Sequence, residues 1–332
     1  MKRRETITAF LVRHGYAAEQ LRPLAQDASY RQYWRLLGGP RPAVLMDAPP
    51  PEDISAFLRL DAHLAGIGLS VPAIFAADQA AGLLLEEDFG DTLLPHILTA
   101  ANTQEIFDAA VDALVVLHCA PPPAGLPAWG APEMAATATA TMLDWWWPAM
   151  FGAPAPDAAR HQLAMALATM LAPLAGAGAA PTLVHRDYFA GNLLWLADRE
   201  GVRRIGVLDF QSAALGHPAY DLASLIQDAR RDISPALAAR ASARYLTARP
   251  ELDGQEFRVA VALCAAQRHL RVCGQWVRLA RRDGKPHYLA HGPRSWALLH
   301  AALQAPATAP LAAWMDRWIP SRHRANPPDA PP

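Results

Sequence analysis

Across residues 182–209 the apolar positions fall into three short runs: Leu183-Val184, residues 193–196 and residues 205–208. Each run is closed by a polar or glycine-containing turn. Runs this brief and bounded in this way predict short strands rather than helices. Their ends carry His185, Asp187, Asn192 and Asp209, which brings an acid, an amide and a second acid to one place.

The pattern elsewhere divides the chain. Ile7, Phe10, Leu11 and Tyr16 predict an opening helix over residues 5–17 that ends near Gly15. An alternating stretch reaching Leu36, the turn Gly38-Gly39-Pro40 and the apolar run Ala43-Val44-Leu45-Met46 predict a hairpin. Phe57, Leu60, Leu64 and Ile67 recur at helical steps, and two further strands follow, beginning near Val71 and Gly82. From Thr103 the pattern is helical, with one face built from Ile106, Phe107, Ala110, Val111, Leu114 and Leu117. A turn through His217-Pro218 leads into another helix with Asp221 in its first turn. The order of elements predicts an α+β chain: a sheet-bearing N-terminal lobe over residues 1–88 and a larger helical C-terminal lobe over residues 89–332. The proline-rich tail from about Ala325 is expected to be disordered.

Composition narrows the class. The chain has 332 residues, 52% hydrophobic and 18% charged, enough to fill a core in two lobes. A formal net charge of −1 gives no field for nucleic acid or an anionic membrane surface. The three cysteines, Cys119, Cys264 and Cys273, lack metal-ligand spacing and suit a reducing compartment. No apolar run reaches the roughly 18 residues of a membrane span, and no signal-peptide pattern follows the basic first residues. A cytoplasmic monomer or weak dimer acting on a small molecule is the expectation.

An acid, an amide and a second acid on strand ends suit phosphoryl transfer, where positioning and charge neutralisation do most of the catalysis. Asp187 can accept the proton of an attacking hydroxyl, and Asn192 and Asp209 are hard oxygen donors suited to magnesium on nucleotide phosphates.

His185-Arg186-Asp187, Asn192 five positions on, and Asp209-Phe210-Gln211 resemble the His-Arg-Asp…Asn and Asp-Phe-Gly motifs of protein kinases. More closely, they resemble the aminoglycoside phosphotransferase family of small-molecule kinases. That resemblance implies a bilobal protein-kinase-like fold, ATP and Mg2+ as cofactors, Asp187 as catalytic residue and Asn192 and Asp209 as metal ligands. It also implies that His185 and Asp221 brace the catalytic loop and that backbone around Glu86 and Asp88 meets the adenine edge.

Two departures from the family pattern stand out. The glycine-rich phosphate loop is replaced by Asp27-Ala28-Ser29-Tyr30, and the second hairpin strand has no phosphate-pairing lysine. Ser29, with Arg31 or Arg35, is the expected replacement. The helix after the hairpin offers only Asp61 where kinases carry a glutamate paired to that lysine.

For the acceptor, acids between residues 93 and 180 are scattered, which argues against a polycationic antibiotic. Trp145 in the Trp145-Trp146-Trp147 cluster, with Arg268 and Arg271, are candidate contacts for a neutral or anionic sugar, with at least two of the tryptophans expected in the core. Asp27-Ala-Ser-Tyr, Met46-Asp-Ala-Pro-Pro, His185-Arg-Asp-Tyr and Tyr220-Asp-Leu-Ala-Ser-Leu resemble the branch that phosphorylates N-acetylmuramate and N-acetylglucosamine at the anomeric hydroxyl in cell-wall recycling. An aminoglycoside, choline or homoserine-type hydroxyl, or a catalytically dead scaffold, are the alternatives.

Overall fold

The computed structural model describes residues 2–24, 31–49, 52–176 and 178–328. The chain opens with α1 (Lys2–Arg13), β1 (Leu21–Pro23), β2 (Gln32–Leu36), β3 (Ala43–Asp47), α2 (Ser55–Gly66), β4 (Ile74–Asp78), β5 (Leu83–Glu87) and the short α3 (Leu94–Ile97). Next come α4 (Thr103–Cys119), β6 (Ala128–Trp129), α5 (Ala131–Thr141), a π-helical turn over Met142–Trp146, α6 (Trp147–Phe151) and α7 (Asp157–Leu171). The motif region holds β7 (Thr182–Val184), β8 (Leu193–Trp195), β9 (Ile205–Val207), β10 (Ala214–Gly216) and α8 (Ala219–Ile226). The chain then runs through α9 (Pro235–Ala248), α10 (Gly254–Arg282), α11 (Gly292–Ala302) and α12 (Ala309–Trp318).

These elements form two compact units, Met1–Thr99 with Gly191–Gln211, and Ala100–Ala190 with Ser212–Pro332. This partition differs from a single boundary near Asp88, because the β8–β9 hairpin belongs with the sheet. Long-range pairing holds it there. Ser70 bridges Gly206, the Val207 amide donates to the Ser70 carbonyl at 2.8 Å, and the Ser70 hydroxyl donates to the Arg203 carbonyl at 2.7 Å.

The first unit is built on a five-stranded antiparallel sheet in the order β1-β2-β3-β5-β4. Successive side chains alternate faces, so Ala43 and Leu45 on β3, with Leu83 and Leu85 on β5, share a face packed on Phe10, Leu11 and Tyr16. The other face carries Val44, Met46, Leu84 and Glu86. Every residue of β3 is buried, which leaves a strand with no charged residue before Asp47.

The second unit is mainly helical and organised around α10, which packs against α5, α8, α11 and the π turn. At Gly274 the approach is close: a Cβ there would lie 2.3 Å from the Thr141 carbonyl oxygen. The tail is ordered further than its composition suggests. Ala325 accepts a hydrogen bond from the buried Trp146 indole at 2.9 Å, and the Asn326 amide donates to the Leu289 carbonyl at 2.7 Å. A buried indole N–H requires an acceptor, and Ala325 supplies it. Among the described residues no helix is long and apolar enough to cross a membrane.

Candidate active site

In the helical unit, β7 pairs antiparallel with β10, Leu183 opposite Leu215, and the chain leaves β7 into a tight loop. Arg186 takes a left-handed conformation there, φ 73°, which an arginine adopts only when its surroundings compel it. Asp221 does so. Its fully buried carboxylate accepts from the backbone amides of His185 at 2.6 Å and Arg186 at 2.8 Å. Beneath it lies a second layer: His118 Nε2 is 3.3 Å from Asp221, His118 Nδ1 is 2.8 Å from the Tyr245 hydroxyl, and Arg249 donates to that hydroxyl at 3.0 Å. Burial holds the His118 imidazole below its usual pKa. The Asp187 amide donates to His185 Nδ1 at 3.3 Å.

The Arg186 side chain is committed to structure, with its guanidinium 3.7 Å from the Trp129 ring centre and donating to the Ser212 carbonyl at 3.1 Å. Asp187 stays one-third exposed, 3.8 Å from Arg271. Burial would raise its carboxyl pKa, but Arg271, Arg268, His185 and Arg186 more than reverse this and hold it below the usual carboxylate range. At neutral pH Asp187 is therefore an ionised acceptor. Arg268 itself is buried within the influence of Asp187 and Asp228, and burial lowers its guanidinium pKa.

In the sheet unit, Asn192 and Asp209 flank the β8–β9 hairpin, and the Leu208 amide donates to the Asn192 carbonyl at 3.0 Å. Asp209 is the other non-glycine residue with left-handed backbone among those described, φ 60°, and Gln211 donates to its carboxylate. Phe210, next along, stacks on Phe57 of α2 at 4.8 Å between ring centres.

The phosphate-side expectations separate. Ser29 lies outside the described residues. Arg31 is buried, 3.5 Å from Glu52 and over the Phe57 ring, beside Tyr33. Arg35 instead forks between Asp88 at 2.6 Å and Asp91 at 2.8 Å, so its charge is already answered. Asp88 also accepts from the Gly90 amide at 2.9 Å. Glu86 is buried in mid-sheet, in register with Val44 on one side and Ile74 on the other. Burial, then the nearby Asp61, pushes its carboxyl up to about 8, while Arg31 opposes the rise. Burial likewise pushes Asp61 up to about 6. The strand without lysine thus lies beside Glu86, whose carboxyl keeps its proton to about pH 8.

Of the tryptophans, Trp146 and Trp147 are buried and Trp145 is half-buried on the π turn. The charges acting on Asp187 are those of Arg271, which is 3.8 Å away, and of Arg268, His185 and Arg186. Sequence reasoning missed Trp129 and Tyr33. Trp129 lies in a loop-like Pro-Ala-Trp-Gly stretch, and its stacking on Arg186 spans far too many positions for any local pattern to reveal.

Comparison with known proteins adds to this geometry. The phosphotransferase enzyme family (APH) matches residues 20–257. A relative from Caulobacter vibrioides, 38% identical over 95% of this chain and 96% of its own length, is named an N-acetylmuramate/N-acetylglucosamine kinase. One from Pseudomonas aeruginosa has the same name at 34% identity over 86% of this chain and 84% of its own. Among solved structures, a choline/ethanolamine kinase family protein from Mesorhizobium loti superposes with TM-score 0.65 at 15% identity, covering 95% of this chain and 98% of that one. An ADP-bound aminoglycoside phosphotransferase gives TM-score 0.59 at 14% identity, covering 91% and 98%. At such identities the structural matches establish the fold, which is kinase-like, with an antiparallel sheet in the N-terminal part and a mainly helical C-terminal part.

Proposed function

The chain belongs to the phosphotransferase enzyme family, and from that premise we propose that it transfers the terminal phosphoryl group of ATP to the anomeric hydroxyl of N-acetylmuramate and N-acetylglucosamine, as a kinase of peptidoglycan recycling. The observation that carries this reading is the 38% identity over 95% of the chain with a relative of that name. Asp187, ionised at neutral pH, accepts the proton of the sugar hydroxyl as the oxygen attacks. Asp221 keeps Asp187 in place by fixing the backbone of the two residues before it. Arg31 supplies positive charge toward the nucleotide in place of the missing strand lysine, and the backbone at Asp88, beyond the paired strand, meets the adenine edge.

The residues present fit magnesium. Asn192 and Asp209 are hard oxygen donors on adjoining ends of one hairpin, and magnesium on nucleotide phosphates needs only one or two protein ligands. Bound there, the ion supplies charge neutralisation at the nucleotide phosphates. A choline-type acceptor would want an aromatic cage, and burial of Trp146 and Trp147 leaves that cluster too little exposed ring to build one.

Purified protein incubated with ATP, magnesium and a panel of acceptors tests the proposal by ADP release. Turnover confined to amino sugars with a free anomeric hydroxyl supports it. Turnover of choline or an aminoglycoside instead, or of nothing, refutes it.

A further inference from the structure

More positive charge surrounds Asp187 than one carboxylate answers. Arg268 is 2% exposed, and its Nε and Nη1 have no hydrogen-bond partner among the described residues. Buried donors left unmet are costly, so such a group implies a ligand or a missing anion. Arg271, three residues further along α10 and hence on the same face, stands 3.8 Å from Asp187 with its own Nε buried and without a hydrogen bond among the described residues. Neither neighbouring acid satisfies Arg268. Asp228 uses Oδ1 to accept from the Arg230 amide, and Asp187 lies nearer the charge of Arg271. The Tyr220 hydroxyl, buried beside both guanidiniums, adds a third polar group.

We propose that Arg268 and Arg271 form an anion subsite beside Asp187 that receives a carboxylate carried by the acceptor sugar. The subsite rests on the acceptor reading above and sharpens it. N-acetylmuramate is N-acetylglucosamine with a lactyl ether added, so the two acceptors differ by one carboxylate. A carboxylate can accept charge-assisted hydrogen bonds from donors on both guanidiniums, whereas the uncharged sugar leaves the buried donors unpaired. A site built to bond a group discriminates against the analogue that lacks it. The enzyme then prefers the acid sugar to the neutral one. A phosphate of ATP held at the same arginines would instead be common to both acceptors and give no preference.

Steady-state kinetics on both sugars, for the wild type, Arg268→Met and Arg268→Lys, test this. The ratio of kcat/KM for N-acetylmuramate over N-acetylglucosamine is expected to fall about tenfold or more in Arg268→Met, with the lysine variant between. An unchanged ratio, whether both activities fall together or neither does, overturns the subsite. If Arg268→Met does not fold, Arg271→Met, at a less buried position, gives the same comparison. Should the wild type phosphorylate neither sugar, the phosphotransfer reading fails, and the subsite is decided by calorimetry. Tighter binding of N-acetylmuramate than of N-acetylglucosamine, lost in the variant, upholds it, and equal binding overturns it.

Discussion

The Asp221 carboxylate holds the Arg186 amide at 2.8 Å while Arg186 sits at φ 73°, so the left-handed turn before Asp187 is bound to an acid 35 positions away in sequence. The same carboxylate accepts from His185, and neither bond survives loss of its oxygens. Asp221→Ala is expected to cost about 3 kcal/mol or more, since hydrogen bonds to a charged group are worth about 1.5–3 kcal/mol each. Denaturant unfolding measures this. Turnover should fall as well, because the turn before Asp187 loses its brace. A variant with wild-type stability and turnover would show that the turn holds itself.

Glu86 and Asp61 set a second expectation. Glu86, pushed up from 4.5 to about 8 by burial and then by Asp61, keeps its proton in the folded chain at pH values where the unfolded chain has lost it. Stability is therefore lost as pH rises through that window and levels off above about 8. His217, which burial and then His118 push down to about 4, acts oppositely, removing stability as pH falls below 6.5. Between pH 6.5 and 8 the carboxyl effect is thus separated from the histidine. Glu86→Gln should lose less stability than the wild type over that interval, read from melting temperatures. Parallel curves would mean that Glu86 is already ionised in the fold.

Gly274 gives a third. A Cβ there would lie 2.3 Å from the Thr141 carbonyl oxygen and 2.8 Å from the Met142 amide nitrogen, at the start of the π turn that carries Trp145. Backbone cannot yield as a side-chain tip does, so Gly274→Ala is expected to destabilise by about 1–3 kcal/mol. An unshifted melting temperature would place α10 further from α5 than described.

Much of this was legible in the chain because local pattern and local structure agree. Short apolar runs bounded by polar turns became β7, β8 and β9, and the lysine-free run Ala43-Val44-Leu45-Met46 became a strand buried throughout. The opening helix ends at Arg13, earlier than its apolar spacing suggested, because Tyr16 is buried from the loop rather than from the helix. What pattern cannot carry is pairing at a distance. β1 is three residues long and exists only through its register with β2, Leu21 opposite Leu36. The β8–β9 hairpin joins the sheet unit through Ser70, more than a hundred positions earlier. Glu86 reads as the polar end of an apolar run, yet its strand continues past it and buries it next to Asp61. Of the candidate charges, Arg31 and Arg35 look alike in sequence, and only their partners, Glu52 and Tyr33 against Asp88 and Asp91, separate them.

Asp187 as the proton acceptor of a sugar kinase is tested most directly by ADP release from ATP, magnesium and N-acetylglucosamine, with the wild type and Asp187→Asn compared at neutral pH. The wild type should turn over, and the asparagine variant, folded and with nearly the same apparent affinity for sugar, should lose about a hundredfold or more in kcat. An Asp187→Asn protein that keeps the wild-type kcat would contradict the assignment.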